Sequence, residues 1–254
     1  MSGIFKHVAI TGAGSGLGAA LARLYGKSGI RLSLLDCDRE QLKAVADSCR
    51  GGGCAVEAHD GDVTDAQDME SWLIACDSAL PVDLVIANAG IAGHAPKSGE
   101  TGEYARRVIL VNAIGVINTV TPLLDRFAAR RSGHLAIVSS LAGLLGFPEA
   151  PAYCASKAAI RTYGHALRRR LASQGVRITV ICPGFIDTPP TRNLPYRPPS
   201  VWSAERSAAY IAQGLARGRR EIFFPWRLSL QLRTASMLPL ALTDRVPWLG
   251  YTPD

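Results

Sequence analysis

Short apolar runs, each followed within a few residues by a helix-period segment, alternate along the chain, and this rhythm limits the folds open to it. His7–Thr11 is strand-like and passes through a glycine-rich turn into a helical stretch at 16–27. Strands are expected at 31–35, 54–58, 83–87, 134–139, 176–182 and Glu221–Phe224. The helical patterns between them cover 39–49, 65–78, 103–130 and 153–172. Runs that are apolar throughout suit strands buried on both faces. The expected class is therefore α/β, a doubly wound parallel sheet (Rossmann fold), with ligands at the carboxyl ends of the strands. No repeat, low-complexity tract or linker divides residues 1–254. They read as a single domain, with a core over about 5–225 and a C-terminal apolar helical extension at 226–254.

Composition supports a sizeable core, since 48% of the 254 residues are apolar and 19% charged. The N-terminus carries no basic segment leading into an apolar one, and no apolar run is read as approaching the roughly 20 residues of a membrane span. A soluble, cytoplasmic protein is the expectation. Six cysteines without a CxxC pair fit reduced core thiols, and five dispersed histidines suggest no metal site. Charge is uneven: residues 1–160 hold 14 basic and 16 acidic groups, residues 161–254 hold 14 arginines against 5 acids. Such a field can attract a phosphate-bearing ligand or an anionic surface. Nucleic acid is disfavoured, because these arginines fall in helix-like segments without a binding motif.

The first strand runs into Thr11-Gly12-Ala13-Gly14-Ser15-Gly16-Leu17-Gly18. Glycines there allow a tight turn and let backbone amides approach a pyrophosphate at the positive end of the next helix. Leu17 stands at the third glycine of a GxGxxG pattern, so the pattern that fits is TGxxxGxG, with Gly12, Gly16 and Gly18. Ser15 and Leu17 complete the candidate cradle. Asp36, closing the second strand, can accept from ribose hydroxyls and repel a 2′-phosphate. With Ser15 and Cys37 both non-basic, NAD(H) is favoured over NADP(H), although Arg39 nearby keeps NADP(H) in play.

Tyr153 and Lys157 lie one helical turn apart. A phenol is about 0.1% ionised at neutral pH, and a neighbouring ammonium favours its phenolate. Ser140, 13 residues before Tyr153, ends a strand and can hold a substrate oxygen while the phenol exchanges its proton. Ser139 is the alternative hydroxyl.

With these motifs in order, the sequence resembles the compact branch of the short-chain dehydrogenase/reductase family over about residues 5–225. Thr11-Gly12…Gly16-x-Gly18, Asp62-Val63, Asn88-Ala89-Gly90, Asn112, Ser140, Tyr153-x-x-x-Lys157 and Pro183-Gly184…Thr188 carry the resemblance. It implies that Ser140 orients the reacting oxygen, Tyr153 is the acid or base, and Lys157 binds ribose and lowers the Tyr153 pKa. It implies that Asn112 holds a relay water, in part through a local break in its helix. Asp62 and Val63 would face adenine, and Asn88, Ala89 and Gly90 would line the cofactor groove. Pro183, Gly184, Ile186 and Thr188 would hold the nicotinamide. Ala87 departs from the family, which often has a second Asn there.

The resemblance implies an oxidoreductase acting on a secondary alcohol or ketone, and a homodimer or homotetramer. Leu144, Leu145, Phe147 and the Pro-rich stretch 187–203, read as a lid without regular helix, point to an apolar substrate. Two other readings stand beside it. One is a non-catalytic cofactor-binding regulator, disfavoured by the intact phenol–ammonium pair. The other is a lipid- or membrane-surface-associated reductase of an acyl or sphingoid-type ketone. It would use Trp226, Leu228, Leu230, Leu232, Leu238, Leu240, Leu242 and Trp248, residues that more often form core or subunit contacts. A helix is expected at 226–238, closing over the cleft or meeting another subunit.

Overall fold

The computed structural model describes residues 5–27, 29–91, 100–192, 194, 198 and 200–243. The apolar runs become β1 (His7–Thr11), β2 (Arg31–Asp36), β3 (Ala55–Asp60), β4 (Leu84–Ala87), β5 (Gly133–Val138), β6 (Val176–Pro183) and β7 (Glu221–Phe224). They pair in parallel in the order β3-β2-β1-β4-β5-β6-β7. Val8 lies between Leu32 and Leu84, so the chain winds outward in both directions from β1 and β4. The carboxyl ends of those two strands form the switch point where a doubly wound sheet opens a crevice.

Eleven helices are described: α1 (Gly16–Tyr25), α2 (Arg39–Gly51), α3 (Ala66–Ala79), α4 (Gly102–Ile109), α5 (Gly115–Val120), α6 (Leu124–Ala129), α7 (Pro151–Leu171), α8 (Pro189–Arg192), α9 (Ala204–Ala216), α10 (Trp226–Ala235) and α11 (Leu240–Thr243). Leu21 of α1, Val45 of α2 and Ile211 of α9 pack with Leu34 and Ile181 on one face of the sheet. Met69 of α3, Val116 of α5, Phe127 of α6 and Ile160 of α7 pack with Val85 and Ile137 on the other. A third cluster joins Leu141, Val180 and Cys182 to Leu228 and Leu232 of α10.

Five details differ from the sequence reading. Strand β3 is an edge strand paired only with β2, and four of its six residues are exposed, so it does not follow the doubly buried pattern. The helix over 103–130 has the implied break at Asn112, a π turn at Leu110–Ile114, and also an unexpected one, a 3₁₀ turn at Thr121–Leu123 that contains Pro122. Helix α9 was not anticipated: its core face uses Ser207, Ala208 and Gly214 beside Ile211 and Leu215, which dilutes the apolar period. Ser203 caps it, its side chain accepting from Arg206 N. One helical turn, α8, forms within the Pro-rich stretch, because prolines are tolerated in a first turn. Helix α10 ends at Ala235, short of 238.

The run Gly102–Ala129 is long and apolar enough to cross a membrane, contrary to the expectation that no run would be. Much of its apolar surface serves the core, with Val116, Val120, Leu123 and Phe127 buried beside Val85 and Leu135, while Leu110 and Ile114 are exposed. Trp248, weighed above, and one of the five histidines, His94, lie outside the described residues.

Candidate active site

Three glycines fix the turn after β1, each for a separate steric reason. Gly12 has φ +67°, and a Cβ there would stand 2.7 Å from Ala89 Cα. Gly16 has φ +50°, and its Cβ would lie 2.9 Å from Thr188 Cγ2. A Cβ on Gly18 would fall on the Gly12 carbonyl oxygen. Side chains are thus barred from the floor of the crevice, and the backbone can approach a ligand closely. Ser15 caps α1, is exposed, and makes no side-chain capping bond; the first turn of α1 carries no acid. Its amides therefore present a site for a phosphate. Leu17 points into the core, leaving only its backbone to the cradle.

The neighbouring strand exits lock onto this turn. Asn88 Nδ2 donates to the carbonyl oxygens of Thr11 (3.1 Å) and Gly12 (3.0 Å). Thr11 Oγ1 accepts from Asn88 N and Ala89 N at 3.2 and 3.3 Å. At the end of β2, Asp36 Oδ2 accepts from Gly14 N at 2.8 Å and Oδ1 from Asp38 N at 3.0 Å. Asp62 Oδ1 accepts from Thr64 N at 2.9 Å, and the Val63 carbonyl accepts from Asn118 Nδ2 at 2.9 Å. Across the crevice, Gly184 N donates to Phe224 O at 2.7 Å, Ile186 bridges to Trp202, and Thr188 Oγ1 donates to Ile186 O at 3.3 Å.

Beside this groove four polar side chains converge. Ser140, at the exit of β5, accepts from Ala142 N at 3.1 Å and its hydroxyl faces the Pro183 carbonyl at 3.5 Å. The Ser140 hydroxyl is also near enough to the Tyr153 phenol to hold its pKa down. Lys157 Nζ donates to Val138 O at 3.1 Å and stands 5.7 Å from the centroid of the Tyr153 ring. Asn112, in the π turn, accepts from Ile91 N at 2.8 Å and donates to Ile91 O (3.1 Å) and Ser156 Oγ (3.3 Å). A Cβ on Gly90 would lie 3.0 Å from Asn112 Oδ1 and 3.4 Å from Lys157 Nζ, so that glycine lets the two side chains meet.

Burial is the largest influence on both the phenol and the amine. Burial pushes Tyr153 above its ordinary value, and the Ser140 hydrogen bond opposes this. Burial also pulls Lys157 down to about 8, since its carbonyl partner satisfies one N–H without supplying a counter-charge.

The sequence profile of the short chain dehydrogenase family matches residues 6–197. An uncharacterized oxidoreductase of Myxococcus xanthus (strain DK1622) is 35% identical over 241 residues, 94% of this chain and 95% of that protein. The chain belongs to the short-chain dehydrogenase family. This dehydrogenase is thus an oxidoreductase of alcohol and carbonyl groups. Its fold matches a short-chain dehydrogenase/reductase of Burkholderia phymatum in complex with NAD, with TM-score 0.85, 23% identity and full coverage of both chains. It also matches a Sphingobium yanoikuyae short-chain dehydrogenase in complex with NADPH, with TM-score 0.81, 23% identity and 98% coverage of each.

Of the two serines weighed from the dehydrogenase sequence, Ser140 reaches the phenol. Ser139 is turned the other way, its hydroxyl donating to Lys157 O at 2.7 Å and tying β5 to α7. Three contacts had no sequence signal because their partners are remote. Ala150 caps α7 without a side-chain acceptor, and the Glu100 carboxylate takes that place, accepting from Ala152 N at 3.3 and 3.2 Å. Cys154 Sγ accepts from Phe147 N at 3.3 Å and holds the 141–150 loop. Pro225 and Leu228 close on Gly184, where a Cβ would meet them at 2.9 and 3.3 Å.

Proposed function

We propose that this dehydrogenase moves a hydride between a nicotinamide cofactor, NAD(H) in preference to NADP(H), and a secondary alcohol/ketone pair on an apolar substrate. Tyr153 is its general acid and base. The carrying observation is the convergence of Ser140, Tyr153, Lys157 and Asn112 at one place, set next to a turn whose glycines leave a side-chain-free cradle. The residues present fit a dinucleotide: amides of α1 for the pyrophosphate, Asp36 for the ribose hydroxyls, and Asp62 and Val63 on the adenine side. When bound, the cofactor supplies or accepts the hydride.

The protein's own groups manage the proton. In reduction the Tyr153 O–H donates to the carbonyl oxygen, while the Ser140 hydroxyl hydrogen-bonds that oxygen and orients it. In oxidation the same phenol oxygen, ionised, removes the alcohol proton. Burial favours the neutral phenol, the form reduction needs. Lys157 is placed to bind ribose hydroxyls and to stabilise the phenolate, and Asn112 to hold a relay water. The cluster of Leu141 and Leu228 with partly buried Leu144, Leu145, Phe147 and Phe185 provides an apolar wall next to Ser140. Initial rates on a panel of apolar and polar ketones and alcohols, with all four cofactor forms, test this reading. A panel turned over only when polar, or faster with NADPH than NADH, would overturn the substrate or cofactor part respectively.

A further inference from the structure

One face of α10 is buried against the site-side cluster through Leu228, Ser229 and Leu232. The other is exposed and apolar. Trp226 is 67% exposed and Leu230 55%, and with Arg233 they follow at intervals of four and three residues, so they form one stripe. Met237 (85%), Leu238 and Leu242 extend this surface past the last turn. Nine large apolar side chains are exposed among the described residues, and five fall within 226–242. Singly scattered apolar residues need no explanation, whereas a concentration of this kind marks a contact surface.

The charges on this surface identify the partner. Residues 222–243 contain no Asp or Glu, and both of their charged residues, Arg227 and Arg233, are exposed. The Arg227 guanidinium sits 5.4 Å from the centroid of the Trp226 ring, and that of Arg233 5.0 Å from the centroid of Phe223. Aromatic and aliphatic groups with arginines at their margin suit the boundary between acyl chains and phosphates. A second copy applied symmetrically to this face would bring two apolar, arginine-bearing surfaces of the same charge together. We infer that α10 and residues 236–242 form a docking surface for an anionic phospholipid bilayer. The buried side of the same helix touches Gly184, so docking brings the apolar wall of the site to the lipid, where an apolar substrate concentrates. Only that consequence rests on the proposed function; the docking does not.

The test is flotation of the full-length protein with phosphatidylcholine vesicles, with and without phosphatidylglycerol. Recovery with the anionic vesicles, falling as salt rises, is expected. Arg227→Gln with Arg233→Gln should weaken binding about fivefold per arginine. Trp226→Ser with Leu230→Ser should weaken it at least about tenfold. Both double variants should keep the wild-type melting temperature and turnover of a water-soluble carbonyl compound, and Tyr153→Phe should float as wild type does, which separates docking from catalysis. No flotation of the wild type, or equal flotation of all variants, overturns the inference. So does a halved mass by light scattering in the Trp226→Ser/Leu230→Ser variant, which would assign the face to a second copy. Equal binding to soluble polyglutamate would assign it to an acidic protein and overturn the inference as well.

Discussion

The Lys157 ammonium donates to the Val138 carbonyl oxygen at 3.1 Å, at the exit of β5, and stands 5.7 Å from the centroid of the Tyr153 ring. Lys157 is buried and Tyr153 partly so, and desolvation disfavours the charged form of each. The phenol is therefore kept protonated and the Lys157 ammonium titrates near pH 8, and this arrangement has consequences for pH and for mutation.

Tyr153→Phe should remove the proton donor while leaving the groove intact. Turnover is expected to fall about 10²–10⁴-fold, with cofactor affinity little changed. Steady-state rates paired with fluorescence titration of NADH check this, and a variant keeping most of its activity would remove Tyr153 from the mechanism.

Lys157 should make stability depend on pH. Its pKa is lowered from 10.5 to about 8 on folding. Between those values the unfolded chain binds the extra proton, so stability rises with pH there. The cost of burying the ammonium, about 3 kcal/mol, is complete below about pH 8 and fades towards 10.5. Lys157→Met should be the more stable protein by urea denaturation at pH 7, and its advantage should shrink as pH rises through that window. A pH-independent difference would count against a depressed Lys157.

Asp36 should act on cofactor choice through charge. Its carboxylate oxygens already accept from Gly14 N and Asp38 N, which places a negative group beside the glycine turn. Asp36→Ala with Cys37→Arg is expected to move the NADPH/NADH ratio of kcat/KM upward by at least tenfold. An unchanged ratio would locate discrimination elsewhere.

Glu100 should position the catalytic helix. Glu100→Ala leaves the first turn of α7 uncapped and should cost about 1 kcal/mol of stability, with a fall in kcat. Glu100→Gln can still accept from Ala152 N but lacks the charge that offsets the helix dipole. It should restore kcat while the pH profile moves to lower pH, because the phenolate of Tyr153 then meets a less compensated positive helix end. Equal kcat and pH profiles in all three proteins would leave Glu100 with a capping role alone.

Much of this was legible in the chain because the relevant signals are local. Continuous apolar runs specify doubly buried strands, and TGxxxGxG places glycine wherever a Cβ would strike Ala89, Thr188 or the Gly12 carbonyl. One helical turn between Tyr153 and Lys157 brings them to one face of α7. These are short-range consequences of backbone geometry, so the sequence by itself determined the parallel sheet and the catalytic candidates. Tertiary structure supplied the physical reason for preferring Ser140 to Ser139: past the end of β5, the Ser139 hydroxyl is spent on Lys157 O and faces away from the site. It also decided that Glu100 caps α7 from another element and that Leu228 faces the site while Trp226 and Leu230 face outward. Each of these depends on which distant segment lies opposite a side chain and how much water it excludes, and neither quantity is carried by residue spacing.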